Sequence, residues 1–551
     1  MKTGAQLLVD TILEQGAEIG FGVPGESYLA VLDALHDATA DFRFINVRNE
    51  GGGAFMAEAY GKLTGKPGVL FVTRGPGATN ASIGIHTAMQ DSTPMVVFVG
   101  QIETGMRHRE AFQELDYRAV FGPMAKWVVE IDSAERVPEL ISRAFTVAQS
   151  GRPGPVVVAL PEDMLVETSD ARLRGPVTPV RPAPTLRDVT AIRDRLTAAK
   201  RPVVIAGGGG WTDEGREALK VFAEAGDLPV IVSFRNQDCI DNRSPSYIGD
   251  ASFGMAPAIR SFLAESDLIL AIGVRFGETL TDGYSLFDPA NFDTPLIHIH
   301  PSEGELGKIF TPDIAILADP NFAVTALADG GVNGAAWATR TQTARKTWED
   351  GFSVPAQPGT LDMGEVMTHL RKALPDDVIV TNGAGNFAIW AGRYLHHGGK
   401  ARLLGPQAGS MGAGVPAAVA AKIVEPERLV LCFAGDGDFQ MNGQELGTAQ
   451  QYGAAPVILL LNNGTYGTIR MHQEKTYPGR VSGTDIVNPD FPMIARAYGF
   501  YGERVEQTED FAPAFERALA SKTGALLELM IDPEALAPNA TVSSLRAAAS
   551  A

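Results

Sequence analysis

Two short, wholly apolar runs constrain this chain more than any other feature. Residues 429–433 (Leu-Val-Leu-Cys-Phe) lead into Gly435-Asp436-Gly437, and residues 457–461 lead into Asn462-Asn463. Runs this short and this apolar read as strands buried on both faces, with one helix in the interval. The crossover of such a unit brings both strand ends to one edge of a parallel sheet. Asp436 and Asn463 stand 27 residues apart. A carboxylate, an amide and a backbone carbonyl are hard oxygen ligands. They suit Mg²⁺, which takes few protein ligands and completes its octahedron with phosphate oxygens. The glycines let backbone approach a diphosphate, and the helix N-terminus that follows favours its charge. The pattern reads as a Mg²⁺–diphosphate cradle.

The same rhythm of short Val/Ile/Leu runs and amphipathic segments fills the chain, and it predicts an α/β protein with three doubly wound parallel-sheet domains. The first domain is expected over residues 1–168, with strands near 44–47, 69–72, 95–99 and 156–160. A Pro/Arg/Thr-rich linker follows over 166–187. The second domain is expected over 188–330, with strands near 203–206, 230–232, 268–272 and 296–299. A polar stretch ending at 355–359 leads to the third, 358–535, with strands near 378–380, 429–433, 457–461 and 526–531. Residues 536–551 form an Ala/Ser-rich tail that reads as a mobile lid or a disordered end.

A net charge of −19 argues against nucleic-acid or anionic-membrane partners. No run of 18 apolar residues exists, so no membrane-spanning helix is expected. The N-terminus does not read as a signal peptide, because Asp10 and Glu14 interrupt its apolar stretch. Two cysteines, Cys239 and Cys432, cannot build a disulfide framework. Cys432 lies inside an apolar run and is expected in the core, which fits a reducing cytoplasm.

The blocks 435–440 and 461–467 resemble the thiamine diphosphate (ThDP) motif of the decarboxylase and carboligase superfamily, and the acetolactate-synthase-like members in particular. The resemblance covers roughly residues 1–535. It implies that the three domains bind the pyrimidine, form the middle, and bind the diphosphate. It implies Asp436, Asn463 and the Thr465 carbonyl as Mg²⁺ ligands. Asn386, Gly437, Asp438, Gly467, Thr468 and Ile469 are expected around the diphosphate. Gly409-Ser410-Met411-Gly412 resembles the family's Gly-x-Met-Gly loop, with the Gly409 carbonyl on the cofactor's amine and Met411 wedged beneath it.

Arg48-Asn49-Glu50 resembles the family's Arg-His-Glu, with Asn in place of His. Glu50 stands where a strand gives way to a helix with apolar residues at 55, 56, 59, 60 and 63. Apolar surroundings favour a protonated carboxyl. The resemblance makes Glu50 the residue that activates the cofactor held by another subunit, so at least a homodimer, or a homotetramer, is implied. Glu58 on the same helix is expected to be a solvated face residue.

Arg74-Gly75-Pro76-Gly77-Ala78-Thr79-Asn80 resembles the family's Ser-Gly-Pro-Gly-Ala-Thr-Asn, which puts Pro76 and Asn80 beside the pyrimidine together with Pro24. Residues 111–114 resemble Ala-Phe-Gln-Glu, which places Phe112 and Gln113 at the substrate. Glu26 and Ser27 depart from the family's Pro-Gly-Gly and are expected to shape the acceptor pocket. The Trp of biosynthetic acetolactate synthases has no counterpart in 467–472, where Arg470 and His472 could meet an anionic substrate or lie on the surface. His396-His397 is expected at the surface.

Carried over, the activity is decarboxylation of a 2-oxo acid, pyruvate first among them, and ligation of the enamine to a second carbonyl. Alternatives stay open: a 2-hydroxyacyl or benzaldehyde-type lyase, a sulfoacetaldehyde acetyltransferase, a 2-oxo acid decarboxylase, a non-catalytic ThDP-binding subunit, or a nicotinamide dehydrogenase built on residues 207–210. FAD is also left open. Gly273-Val274-Arg275-Phe276 resembles FAD-containing members, but the four glycines at 207–210 have no Gly-x-Gly-x-x-Gly continuation.

Overall fold

The computed structural model describes residues 1–550 and builds them on three six-stranded parallel sheets. The first contains β1 (Ile19–Gly22), β2 (Arg43–Asn46), β3 (Gly68–Val72), β4 (Met95–Gln101), β5 (Trp127–Glu130) and β6 (Pro155–Pro161). Its spatial order is β2-β1-β3-β4-β6-β5. The second contains β7 (Pro202–Ala206), β8 (Val230–Ser233), β9 (Tyr247–Ala251), β10 (Leu268–Ile272), β11 (Leu296–His300) and β12 (Ile314–Leu317). Its order, β9-β8-β7-β10-β11-β12, is that of dinucleotide-binding sheets. The third contains β13 (Ile379–Asn382), β14 (Arg402–Leu404), β15 (Val430–Gly435), β16 (Val457–Asn462), β17 (Tyr501–Val505) and β18 (Ala525–Met530). Its order, β14-β13-β15-β16-β18-β17, repeats that of the first sheet.

The first and third domains share one core. Two helices of the first domain, α1 (Glu50–Thr64) and α2 (Gly75–Asp91), lie side by side, and α1 also packs against α3 (Gly414–Val424) of the third. A single apolar cluster runs from Ala54, Met56 and Ile85 to Val415, Val419 and Val430. Helix α1 is therefore buried all round from Gly51 to Gly61, which explains three consecutive glycines followed by small and apolar residues. Asn49 caps its start by accepting from Gly51 N at 2.8 Å, and Gly65 ends it in the left-handed region.

Several expectations change. Glu58 is not solvated. It is buried in the α1–α2 contact, where its Oε1 accepts from Thr93 Oγ1 at 3.0 Å and pairs with Lys62. His397 is not at the surface either; it is fully buried, with Nε2 2.8 Å from the Ala391 carbonyl oxygen. The polar stretch after the middle sheet contains the helix Ala338–Asp350. The tail is folded: a hairpin of Ala535–Ala537 and Ala540–Thr541 leads into α6 (Val542–Ser550). Cys432 and Cys239 are buried and free.

Candidate active site

Neighbouring strands β13, β15 and β16 end on one cavity of about 270 Å³. Three helices begin there: Phe387–Arg393, α4 (Asp436–Asn442) and α5 (Gly467–Thr476). None has a capping side chain, so their first N–H groups are available to an anion. A Cβ at Gly467 would stand 3.0 Å from Asn463 Nδ2, and one at Gly437 only 2.5 Å from the Tyr466 ring. Larger residues would fill this cradle. Asp436 and Gly437, Asn463 and Thr465, and Gly467, Thr468 and Ile469 all line it, as do Asn386, Asp438, Gly409 and Met411.

The two asparagines at the end of β16 do different work. Asn462 turns into the protein. Its Oδ1 accepts from Gly464 N at 3.1 Å and from Asn488 Nδ2 at 2.8 Å, and its Nδ2 donates to buried Glu528 at 2.7 Å. Asn463 faces the cavity. Asn488 Nδ2 also donates to Asp436 Oδ2 at 2.7 Å and fixes the carboxylate with Gly464 N at 3.0 Å. The sequence reading passed over Asn488; its only signal is the turn-forming Asn-Pro pair 488–489. Burial pushes the Asp436 carboxyl up, while Asn488 and the Gly437 and Gly464 N–H groups pull it down. Among the described residues no group of three His, Cys, Asp or Glu side chains could hold a metal. The donor set here is instead one carboxylate, one amide and one carbonyl, which fits Mg²⁺ completed by phosphate oxygens.

Asp438 has a different part from that of its neighbour. Its Oδ1 accepts from Gly412 N at 2.8 Å and Ala384 N at 3.1 Å, which ties together two loops of the cavity wall. Burial pushes its carboxyl up to about 7, and its Oδ2 is buried without a partner.

The tail closes the cavity, a role the sequence left between lid and disorder. Ala535, Leu536 and Ala537 line it, and Leu536 O accepts from Asn386 Nδ2 at 2.7 Å. Pro538 O accepts from Gln357 Nε2 at 3.0 Å. Arg546 of α6 grips Glu474 of α5 through two hydrogen bonds of 2.9 and 2.6 Å. These bonds to Arg546 hold the Glu474 carboxyl down at about 2. His472 lies on the exposed side of α5 and does not line the cavity, and Arg470 points toward Glu474 at 3.9 Å.

The other candidate residues gather on the first domain, away from this cavity, whose lining runs only from Gln357 to Ala537. Glu50 begins α1 beside the start of α2, where its Oε2 accepts from Asn80 Nδ2 at 2.9 Å. Its Oε1 lies 3.2 Å from the place of a Cβ on Gly77. Glu50 is half-exposed, so this chain alone does not supply the apolar surroundings expected for it. Pro24, Pro76 and Asn80 are exposed.

The loop carrying Phe112 and Gln113 is wound around the Glu114 carboxylate, which accepts from His108 N at 2.8 Å and Ala111 N at 2.9 Å. His108, Glu110 and Gln113 hold left-handed φ angles of 64°, 53° and 63°, a strain typical of functional loops. The Gln113 carbonyl accepts from Gly75 N at 3.1 Å, and Phe112 is 70% exposed. Arg74 donates to the Phe112 carbonyl at 3.3 Å and pairs with Glu26 at 3.0 Å and Glu162 at 3.2 Å. Ser27 is buried and bonded to Thr73 Oγ1 at 2.9 Å.

Family models for the thiamine pyrophosphate enzymes match all three domains: the N-terminal TPP binding domain at residues 2–120, the central domain at 189–327 and the C-terminal TPP binding domain at 383–529. The chain belongs to the thiamine pyrophosphate enzymes. It is 33% identical to the acetolactate synthase large subunit of Parasynechococcus marenigrum, over 96% of this chain and 87% of that protein. It is 31% identical to the acetolactate synthase isozyme 2 large subunit of Escherichia coli, over 96% and 95%, and 32% identical to the acetolactate synthase large subunit of Lactococcus lactis, over 93% and 89%. Within the family it is of the acetolactate-synthase-like, ThDP-dependent carboligase type.

Proposed function

We propose that this enzyme decarboxylates pyruvate and joins the remaining two-carbon unit to a second carbonyl compound, with ThDP and Mg²⁺ held in the cavity of the third domain. The observation that carries the reading is the cradle itself: uncapped helix starts around Asp436, Asn463 and the Thr465 carbonyl. Bound there, ThDP supplies a carbon nucleophile that releases CO₂ from a 2-oxo acid and transfers the acyl unit. Asp436, Asn463 and the Thr465 carbonyl hold the metal. The N–H groups at the start of α5 meet the diphosphate. Gly409 and Met411 hold the pyrimidine end, and the tail excludes water. Asn80 occupies Glu50 Oε2, which leaves Oε1 as the atom that would hold and move a proton beside a bound cofactor. Gln113 orients the reacting carbonyl, and Phe112 shields it.

Glu50, Pro76 and Gln113 stand on a different domain from the cradle, so we place the working site between two copies of the chain, in a homodimer or homotetramer. Apolar side chains left exposed around both halves support this: Phe112, Ile83 and Leu29 on the first domain, Tyr466, Ile469 and Val487 on the third. A reducing cytoplasm suits the two buried free cysteines.

FAD fits less well. A Cβ at Gly208 would lie 2.1 Å from the Gly273 carbonyl, and one at Gly209 2.1 Å from that of Ser92, so these glycines serve packing inside the protein. Arg152 is bonded to Glu305, Ser92 and the Met89 carbonyl, and Arg275 to the Gln90 carbonyl. On this reading the purified protein is expected to be colourless.

The test is NMR of the products formed from pyruvate with ThDP and Mg²⁺. Acetolactate is the expected product. Bound ThDP with no pyruvate consumed would overturn pyruvate as donor and direct attention to Glu26 and Arg74, which depart from the family's motifs, and to the 107–116 loop that Arg74 holds.

A further inference from the structure

Helices α1 and α2 touch at both ends. At their N-terminal ends Glu50 meets Asn80. At their C-terminal ends Lys62 meets Asp91. Between these points they approach so closely that a Cβ on Gly84 would overlap Ala54 Cβ at 2.3 Å. The pair is thus a rigid strut; the 15 residues of α1 span about 22 Å.

The C-terminal end of the strut grips one loop of the third domain. Lys62 Nζ uses all three of its protons, on Asp91, on Glu58 Oε1 at 3.0 Å and on the Gly405 carbonyl at 2.8 Å. Asp91 is buried and accepts from two successive backbone N–H groups, Gln407 at 2.9 Å and Ala408 at 3.1 Å. Thr87, one turn earlier, bonds Ser410 Oγ at 2.7 Å. Arg402, at the root of the loop, donates to the Lys62 carbonyl at 2.9 Å. The gripped segment leads directly into Gly409 and Met411, which line the cofactor cavity, and Gly412 is held from the other side by Asp438. Gly409 adopts φ 66°, a left-handed conformation that glycine takes without steric cost.

We propose that Lys62 and Asp91 are positioning residues for the Gly409–Met411 segment, and that the α1–α2 strut serves two active centres: its N-terminal end presents Glu50 to the cofactor of the partner subunit, while its C-terminal end shapes the cofactor wall of its own chain. The inference rests on the proposed ThDP reading. A buried ammonium paired with two carboxylates is a costly way to hold two domains together, and apolar packing would serve as well. What apolar packing cannot do is hold three named backbone groups of one loop in register.

The experiment compares Asp91→Asn, Lys62→Met and Lys62→Arg with the unaltered protein. In cofactor-free protein, hydrogen exchange at the Gln407 and Ala408 amides is expected to accelerate about tenfold or more in Asp91→Asn and Lys62→Met. With ThDP and Mg²⁺ present, exchange of the cofactor's C2 proton and kcat should fall together about tenfold, with KM for pyruvate within about twofold, because a small displacement of the wall misplaces the cofactor and not the substrate. Lys62→Arg, which keeps charge and donors, should recover most of the loss. Unchanged C2 exchange and kcat in both Asp91→Asn and Lys62→Met would overturn the proposal. Should these two fail to fold, Thr87→Val decides: a loss of about threefold in C2 exchange supports the strut, and none contradicts it. Failure of the unaltered protein to bind ThDP would instead sink the cofactor reading.

Discussion

The first and third domains are built on the same strand order, yet their crevices are finished differently. The third domain's crevice is closed within the chain. Helix starts converge on it, Asn488 and Glu528 brace its strand ends, and the tail is pinned over it by Asn386 and Arg546. The first domain's crevice is left open, with Glu50 half-exposed and Pro76, Asn80 and Phe112 bare. The third domain's crevice is a container closed by its own chain; the first domain's is an open face, which on our proposal is the reactive one. Duplicated topology therefore does not mean duplicated function. Function lies in what each sheet edge carries.

The largest test of this contrast falls on the open half. Glu50→Gln is expected to lower turnover about a thousandfold while ThDP affinity stays near that of the unaltered protein, since it removes an exchangeable proton and no cofactor-holding contact. A variant that turns over at a normal rate would remove Glu50 from the chemistry. The reverse pattern is expected in the closed half. Asp436→Ala should weaken Mg²⁺-dependent ThDP binding about a hundredfold or more, read by titration of intrinsic fluorescence; unchanged affinity would put the metal elsewhere.

Smaller effects sharpen the account of the closure. Asn386→Ala removes the bond to the Leu536 carbonyl and should raise the ThDP dissociation constant about fivefold. Acid should release the tail by another route. Glu474 is held at about 2, below the 4.5 of a free glutamate, so the docked state favours its charged form. The stabilisation is complete above about 4.5 and is lost as the pH falls through that value toward 2. Limited proteolysis of the C-terminal helix is expected to rise over that window, and less so in Arg546→Ala, which lacks the pair from the start. His472→Ala, on the outer side of α5, should change kcat/KM by no more than about twofold.

How much of this the sequence revealed follows from burial. The strands read from it are mostly apolar runs; only those at 44–47, 296–299 and 526–531 carry a polar residue, Asn46, His298 and Glu528. Of the six strands it missed, β5, β9, β12, β14 and β17 are sheet edges. Edge strands have one neighbour only and carry side chains such as Arg402, Glu503 and Arg504. The sixth, β1, is central but is cut by Gly20 and Gly22, whose missing side chains make room for Phe42 and Phe71. The cradle was legible because Asp436 and Asn463 follow strand ends at a fixed spacing. Asn488, Asp91 and Lys62 were not, because their partners lie far off in the chain and a lone Asn, Asp or Lys carries no local signal. Glu58 was misjudged for the same reason: nothing in α1 announces that its second face is covered by α2 and that Lys62 turns inward.

The central claim, that a reactive face on one chain works on a container in another, has one direct test. Glu50→Gln and Asp436→Ala proteins, each inactive alone, are dissociated, mixed in equal amounts and reassembled. If the site lies between chains, each mixed dimer regains one whole site, and with half the dimers mixed the activity should return to about a quarter of the unaltered rate. If the site is formed within a single chain, every chain in the mixture keeps one defect, and no activity will return.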